Sequence, residues 1–271
     1  MSLIDTPAGV HLCYEVFGDP ADPPLLLIQG LGAQMLGWHE ELCRQLAEAG
    51  FQVIRFDNRD VGLSQKFPEG DYDLADMAAD TAGLLNALDI DRAHVVGQSM
   101  GGMIAQQLVI DHPGRVRSLG LIYTTPSLEF ISGRELLDEQ KALPRARNRE
   151  EAVELHPRSQ EPCLSPGYPA DLEWLREVGG LMYDRDYDPN GTERQMNAIN
   201  ASPDRTAALA TTKAPTTILH GDGDRLISPT AAEVLHQKIP ASTLTILPGM
   251  GHELPRPLWP QIVATITDNA R

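Results

Sequence analysis

Apolar positions in this chain of 271 residues follow two periods in alternation. Short runs at 10–17, 25–28, 51–57, 93–96, 118–124, 216–220 and 243–247 have the length and character of strands. Leu25-Leu26-Leu27-Ile28 is apolar at every position, which suits a central strand of a sheet covered on both faces. Between the runs, apolar residues recur every three or four positions at 38–49, 74–88, 100–112, 229–237 and 259–269, the spacing of a helix with one buried stripe. Helix punctuation falls where it should: Gly50 follows the first of these segments as a stop, and Asp73 precedes the second as an N-cap. Strands alternating with helices predict an α/β fold, a mostly parallel sheet flanked by helices.

The alternation stops at Pro126. Segments 128–143, 150–156, 172–182, 192–200 and 203–211 read as helical, with no strand-like run among them. Residues 157–169 crowd prolines, serines and a glycine into a stretch too broken for a core element. The expected division is therefore a core made of 1–125 and 206–271, with a helical insertion at 126–205. No internal repeat interrupts it.

Composition narrows the choice of partners. A formal net charge of −16 opposes binding to nucleic acid or anionic membranes. No apolar run approaches the roughly 20 residues that a membrane span requires. The opening Met1-Ser2-Leu3-Ile4-Asp5 lacks the basic-then-apolar pattern of a secretory leader. Cys13, Cys43 and Cys163 are odd in number and widely spaced, which fits neither a zinc site nor a disulfide framework. Reduced thiols and a cytoplasmic location are the expectation.

The chemistry gathers at the corners that follow strands. Gly97-Gln98-Ser99-Met100-Gly101 joins an apolar run to a helix and matches a nucleophile elbow, in which small residues make space for a sharp turn that lifts a serine hydroxyl out of the sheet. The five-residue pattern occurs by chance about once in ten chains of this length, so its setting carries the weight. A serine so placed needs a base, a carboxylate and an oxyanion site. His252, in Gly249-Met250-Gly251-His252, follows the last strand and is the candidate base. Asp222 and Asp224 both follow the strand before it, and each is also a plausible turn former. The oxyanion donors would be the backbone N–H of Met100 and that of Leu31, in the corner Gln29-Gly30-Leu31-Gly32. His94 and His220 fall within or at the ends of strands and read as packed core residues. His220, Asp222 and Asp224 could face one another, but the ligand spacings of metal enzymes are missing. The dinucleotide-binding glycine fingerprint is missing too.

These residues resemble the α/β-hydrolase fold superfamily over nearly the whole chain. Within it, Phe56-Asp57-Asn58-Arg59-Asp60-Val61-Gly62-Leu63-Ser64, Gly97-Gln98-Ser99-Met100-Gly101-Gly102-Met103-Ile104-Ala105-Gln106 and Gly249-Met250-Gly251-His252-Glu253-Leu254-Pro255 are similar to the bacterial branch containing aclacinomycin (anthracycline) methylesterases and related carboxylesterases. The resemblance implies an eight-stranded core, a helical cap at about 126–205 and a site at their junction. It puts the acid at Asp224, giving the chain order Ser99, Asp224, His252. Many members carry His-Gly before the oxyanion residue; Gln29-Gly30 here keeps the backbone donor and changes the hydrogen bonding that shapes the loop. Ser99 stands where haloalkane dehalogenases and most epoxide hydrolases carry Asp, which removes those reactions. The implied activity is hydrolysis of a small-molecule carboxylic ester through an acyl-enzyme, with neither metal nor organic cofactor and no particular oligomeric state. The same machinery serves enol-lactone hydrolases, carbon–carbon bond hydrolases and cofactor-free perhydrolases. A non-catalytic binder that kept the fold is the alternative of another class. Met182, Tyr183 and Tyr187, with Met35 and Trp38, are candidates to line an apolar pocket.

Overall fold

The computed structural model describes residues 1–271. Eight strands form one sheet: β1 (Ser2–Asp5), β2 (His11–Phe17), β3 (Pro24–Ile28), β4 (Gln52–Phe56), β5 (Ala93–Gln98), β6 (Val116–Ile122), β7 (Thr216–Gly221) and β8 (Ser242–Leu247), in the spatial order β1-β2-β4-β3-β5-β6-β7-β8. β1 pairs antiparallel with β2 and β2 antiparallel with β4, and every other neighbouring pair is parallel. The helices are α1 (Glu40–Glu48), α2 (Leu74–Ala87), α3 (Met100–Asp111), α4 (Arg134–Lys141), α5 (Arg149–Gln160), α6 (Leu172–Arg185), α7 (Pro189–Ala201), α8 (Thr230–Lys238) and α9 (Trp259–Ala270). None is long and apolar enough to cross a membrane.

The strand period sorts side chains to two faces. From β3, Leu26 and Ile28 join one core with α2, α3 and α8, including Met77, Leu84, Ile104 and Leu235. Leu25 and Leu27 join the opposite core with α1 and α9, including Leu42, Leu46, Ile262 and Ile266. A strand buried on both sides must be apolar throughout, as this one is. Asp73 caps α2 as expected and does so reciprocally: its carboxylate accepts from Ala75 and Asp76 N–H, while the Asp76 side chain accepts from Asp73 N–H.

Several segments differ from the sequence expectation. β1 has too few buried positions to announce itself, since only one of its residues is even half-buried; it forms by pairing with β2. The single helix expected over 128–143 breaks at Gly133, where a β-carbon would press on the Arg225 carbonyl and Ile131 bridges Ile227. α5 runs past Pro157 to Gln160, although a proline there withholds one i→i−4 hydrogen bond. Only Ala208–Thr211 of the helix expected over 203–211 exists, as a single 3₁₀ turn.

The corner between β5 and α3 is a tight main-chain crossing. Ser99 holds φ 55° and ψ −123°, a region that a side chain seldom occupies without support. The glycines make the space that the turn needs. A β-carbon on Gly97 would fall closer than 3.0 Å to the Gly101 carbonyl, and one on Gly101 closer than that to the Ile28 carbonyl of the neighbouring strand. The obstruction is main chain, not the serine, so nothing can move aside. We expect Gly97→Ala to cost about 3 kcal/mol or more, read as a lower midpoint in chemical denaturation. Gly114→Ala, with nothing within 4 Å of the added carbon, should stay within about 0.5 kcal/mol of the parent.

Candidate active site

Three strand ends bring the candidate residues together. Ser99 opens α3, and its Oγ lies 2.8 Å from His252 Nε2. His252 Nδ1 lies 2.7 Å from Asp224 Oδ2. The second carboxylate oxygen of Asp224 accepts from Leu226 N–H at 2.8 Å and Ile227 N–H at 3.0 Å. A carboxylate can only accept, so His252 must carry its proton on Nδ1, which leaves Nε2 free to accept from the Ser99 hydroxyl. Asp222 turns the other way and accepts from Gly249 N–H at 2.6 Å, tying two loops together. His94 is buried against Ser118 Oγ at 2.9 Å.

His220 is buried, as its place in β7 predicts, but it also reaches the site. Its Nε2 lies 3.1 Å from the Ile227 carbonyl and 3.2 Å from Asp224 Oδ2. Burial opposes ionisation of Asp224, but the His252 and His220 imidazoles outweigh it and hold the carboxyl well below the usual carboxylate range. No group of three His, Cys, Asp or Glu side chains in the structure is arranged to hold a metal ion.

The corner after β3 abuts the serine. A β-carbon on Gly30 would sit 3.2 Å from Ser99 Cβ and 3.7 Å from its Oγ. Gly30 N–H is already bonded to Gln29 Oε1 at 2.7 Å, while Leu31 and Met100 N–H have no protein acceptor. Both line the same cavity as Ser99. That cavity, of about 1050 Å³, runs between the sheet's carboxyl edge and helices α4–α7, with Met103, Val178, Met182, Tyr183, Tyr187 and Met196 in its walls. Met35 and Trp38, expected beside them, are instead fully buried in the core. Cys163 is also in the wall, but burial pushes its thiol up to about 12, so it stays protonated and a poor nucleophile.

The segment 157–169, too broken to form a core element, grips the histidine loop. The Cys163 carbonyl accepts from His252 N–H at 2.8 Å, Ser165 Oγ accepts from Gly251 N–H at 2.9 Å, and Glu253 Oε1 accepts from Ser165 N–H at 2.7 Å. Gly167 N–H reaches the Gly249 carbonyl at 2.9 Å, and neither glycine has room for a β-carbon against the other. On the far side, buried Gln195 of α7 accepts from Gly32 N–H at 2.8 Å and donates to the Arg59 carbonyl at 2.7 Å. Arg185 of α6 pairs with fully buried Asp57 at 2.7 Å. A run of prolines and small residues was the available sign of the first contact. The others join residues more than a hundred positions apart and left no sign.

The family model of the α/β hydrolase fold matches residues 23–255, and the chain belongs to that family. Along 97% of this chain and 95% of the relative's length, it is 29% identical to rhodomycin D methylesterase DauP of Streptomyces sp. (strain C5). A similar likeness, 28% identity over the same shares, links it to rhodomycin D methylesterase DnrP of Streptomyces peucetius. The solved structure of the esterase EaEST from Exiguobacterium antarcticum matches 99% of this chain and 98% of its own, with a TM-score of 0.80 and 23% identity. At that identity the likeness is one of fold.

The Asp224 environment has a consequence for stability. Its carboxyl is depressed in the folded state, so its stabilisation is present above the unfolded value near 4 and is lost as pH falls through the folded one. Chemical denaturation of the parent and of Asp224→Asn between pH 5 and pH 2.5 should show a gap that narrows steadily toward acid. A constant gap would mean the charge is not what matters.

Proposed function

We infer that this protein hydrolyses a carboxylic ester of a bulky, largely apolar small molecule through an acyl-enzyme on Ser99. The observation that carries the reading is the unbroken row Ser99 Oγ, His252, Asp224, at 2.8 and 2.7 Å, with Ser99 and His252 lining the cavity and Asp224 buried behind them. His252 Nε2 takes the hydroxyl proton as Oγ bonds to the ester carbonyl carbon. The carbonyl oxygen becomes an anion facing Leu31 and Met100 N–H at the positive end of α3, where each donor is worth about 3 kcal/mol of barrier. Collapse breaks the carbon–oxygen bond to the alcohol, which leaves with the proton from His252. Water then gives a proton to His252, attacks the acyl carbon and releases Ser99 and the carboxylic acid. Asp224 holds the imidazole in the required tautomer and stabilises its cation.

Residues 126–205 act in this reading as a cap over the core of 1–125 and 206–271. The cavity's size and its apolar wall suit a polycyclic substrate. A methyl ester of a polyketide-like ring system is the substrate class we favour, and the similarity to the rhodomycin D methylesterases supports it. Small-molecule specificity then resides in α5, α6 and α7, and general reactivity in the strand-end corners.

The test is turnover of bulky polycyclic methyl esters, p-nitrophenyl esters and enol-lactones by the parent and by Ser99→Ala. Polycyclic methyl esters should be preferred, and Ser99→Ala should lose roughly 10⁴–10⁶-fold in kcat on every substrate while melting as the parent does. Turnover of enol-lactones alone would move the reading to that reaction, and full activity in Ser99→Ala would sink it. Met196→Trp, which fills the cavity, should shift the ratio of kcat/KM values toward p-nitrophenyl acetate over the polycyclic ester by about 10- to 100-fold.

A further inference from the structure

A buried chain of side-chain hydrogen bonds runs beneath the site across three adjacent strand ends. It begins at Tyr123, directly after β6, passes through Gln98 at the end of β5, and ends at Gln29, directly after β3. The Tyr123 hydroxyl donates to Gln98 Oε1, Gln98 Nε2 donates to Gln29 Oε1, and that oxygen also accepts from Gly30 N–H at 2.7 Å. All three side chains are buried. The direction of every bond follows from a single backbone group. Gly30 N–H can only donate, so Gln29 must show it the amide oxygen. Gln98 must then offer its amide nitrogen to that oxygen, which leaves its own oxygen toward Tyr123, and Tyr123 must donate.

Both ends of this chain meet the reaction centre. The Gln29 end fixes the peptide that precedes Leu31 N–H, and the Gln29 backbone carbonyl is held separately by Asn58 Nδ2 at 3.0 Å. The Tyr123 end packs its ring on His252, with centroids 4.5 Å apart. The surroundings are shaped around the arrangement. Gly37 leaves the space that the Gln29 amide occupies, since a β-carbon there would overlap it. Tyr123 also holds a φ of 34°, in the left-handed region that costs a bulky residue.

We propose that Gln29, Gln98 and Tyr123 are positioning residues that set the oxyanion corner, the two glutamines and the tyrosine acting as one rail that aims Leu31 N–H at the developing charge. The inference rests on the acyl-enzyme reading of Ser99. Gln29 is the position where many members of the family carry histidine, and here the amide supplies what the rail needs at that end: an oxygen that accepts from Gly30 and from Gln98 together. The rail is neutral throughout, and burial pushes the Tyr123 hydroxyl well above its ordinary value, so it donates at every working pH. Its contribution is geometric and should carry no pH dependence of its own.

Tyr123→Phe tests this, because it keeps the ring on His252 and removes only the first donor. With p-nitrophenyl acetate, kcat should fall by roughly 10-fold, with KM and the pH profile unchanged. The affinity for a trifluoromethyl ketone, whose adduct with a serine carries a tetrahedral oxyanion, should weaken by the same factor. Gln98→Met, which cuts the rail in the middle without adding charge, should lose about as much or more, and it carries the test if Tyr123→Phe does not fold. Combining the two should cost little beyond Gln98→Met alone. Unchanged kcat and inhibitor affinity in these variants overturns the proposal, whatever happens to the melting temperature. A loss that comes with a displaced pH profile also overturns it, since the effect would then lie on His252. Ser99→Ala keeps the two ideas apart: activity there removes the acyl-enzyme reading itself, whereas inactivity there with normal rail variants removes only the rail.

Discussion

The site depends on one main-chain crossing. β5 turns into α3 above the carbonyls of Ile28 and Gln29, at a separation that leaves no room for a β-carbon on Gly101, and the turn itself brings the Gly101 carbonyl too close to Gly97 for one there. The crossing forces Ser99 into a positive φ, and the same geometry aims the first amides of α3 at the space over its hydroxyl. A second glycine step, at Gly30, lets the corner after β3 approach the serine. The unbonded N–H groups of Leu31 and Met100 are therefore fixed in place by how closely these segments of main chain pack. Side chains hold the corner in orientation, but the distance is set by glycine.

The insertion adds a second layer of constraint. It holds the histidine loop through the Cys163 carbonyl and Ser165, and the loop after β3 through Gln195 and Gln34, whose amide nitrogen reaches the Met182 and Asp186 carbonyls at 2.8 and 2.9 Å. Arg185 and Arg194 reach the fully buried carboxylates of Asp57 and Asp60. Buried pairs of this kind contribute little net stability, because desolvation offsets attraction, but losing one partner is expensive. Each pair ties one helix, α6 through Arg185 and α7 through Arg194, to the loop after β4.

The strands, most helices and the parallel order were legible because they depend on local period, and a doubly buried strand such as 25–28 has no other reading. The elbow was legible because main-chain crowding demands glycine at fixed offsets. Asp224 could be separated from Asp222 only by resemblance, since both are aspartates in one turn and their difference lies in what each faces across space. β1, with one half-buried residue, lacked the apolar content that marks a strand. Gln98, Tyr123 and Gln195 were invisible for a different reason. A buried amide or phenol gives no period and no motif, and its partner is named only by the fold. Gln29 did stand out, as a departure from the family pattern, but what it bonds to could not be read from one position.

The seams at both ends of the insertion bear on how a substrate enters. Swinging 126–205 away as one body would break the Cys163, Ser165 and Gly167 bonds to the histidine loop and the Gln195 and Gln34 bonds to the loop after β3. Those loops carry His252 and Leu31, so such an opening would also disturb the residues that line the cavity beside Ser99. α4 is held differently: it has no buried residue, and its tie to α5 is a single hydrogen bond from Gln140 to the Ser159 carbonyl. Motion that admits a ligand costs least where fewest contacts are broken. The insertion is thus bonded unevenly: α6, α7 and the 163–168 segment are tied to the strand-end loops, while α4 has few ties of its own.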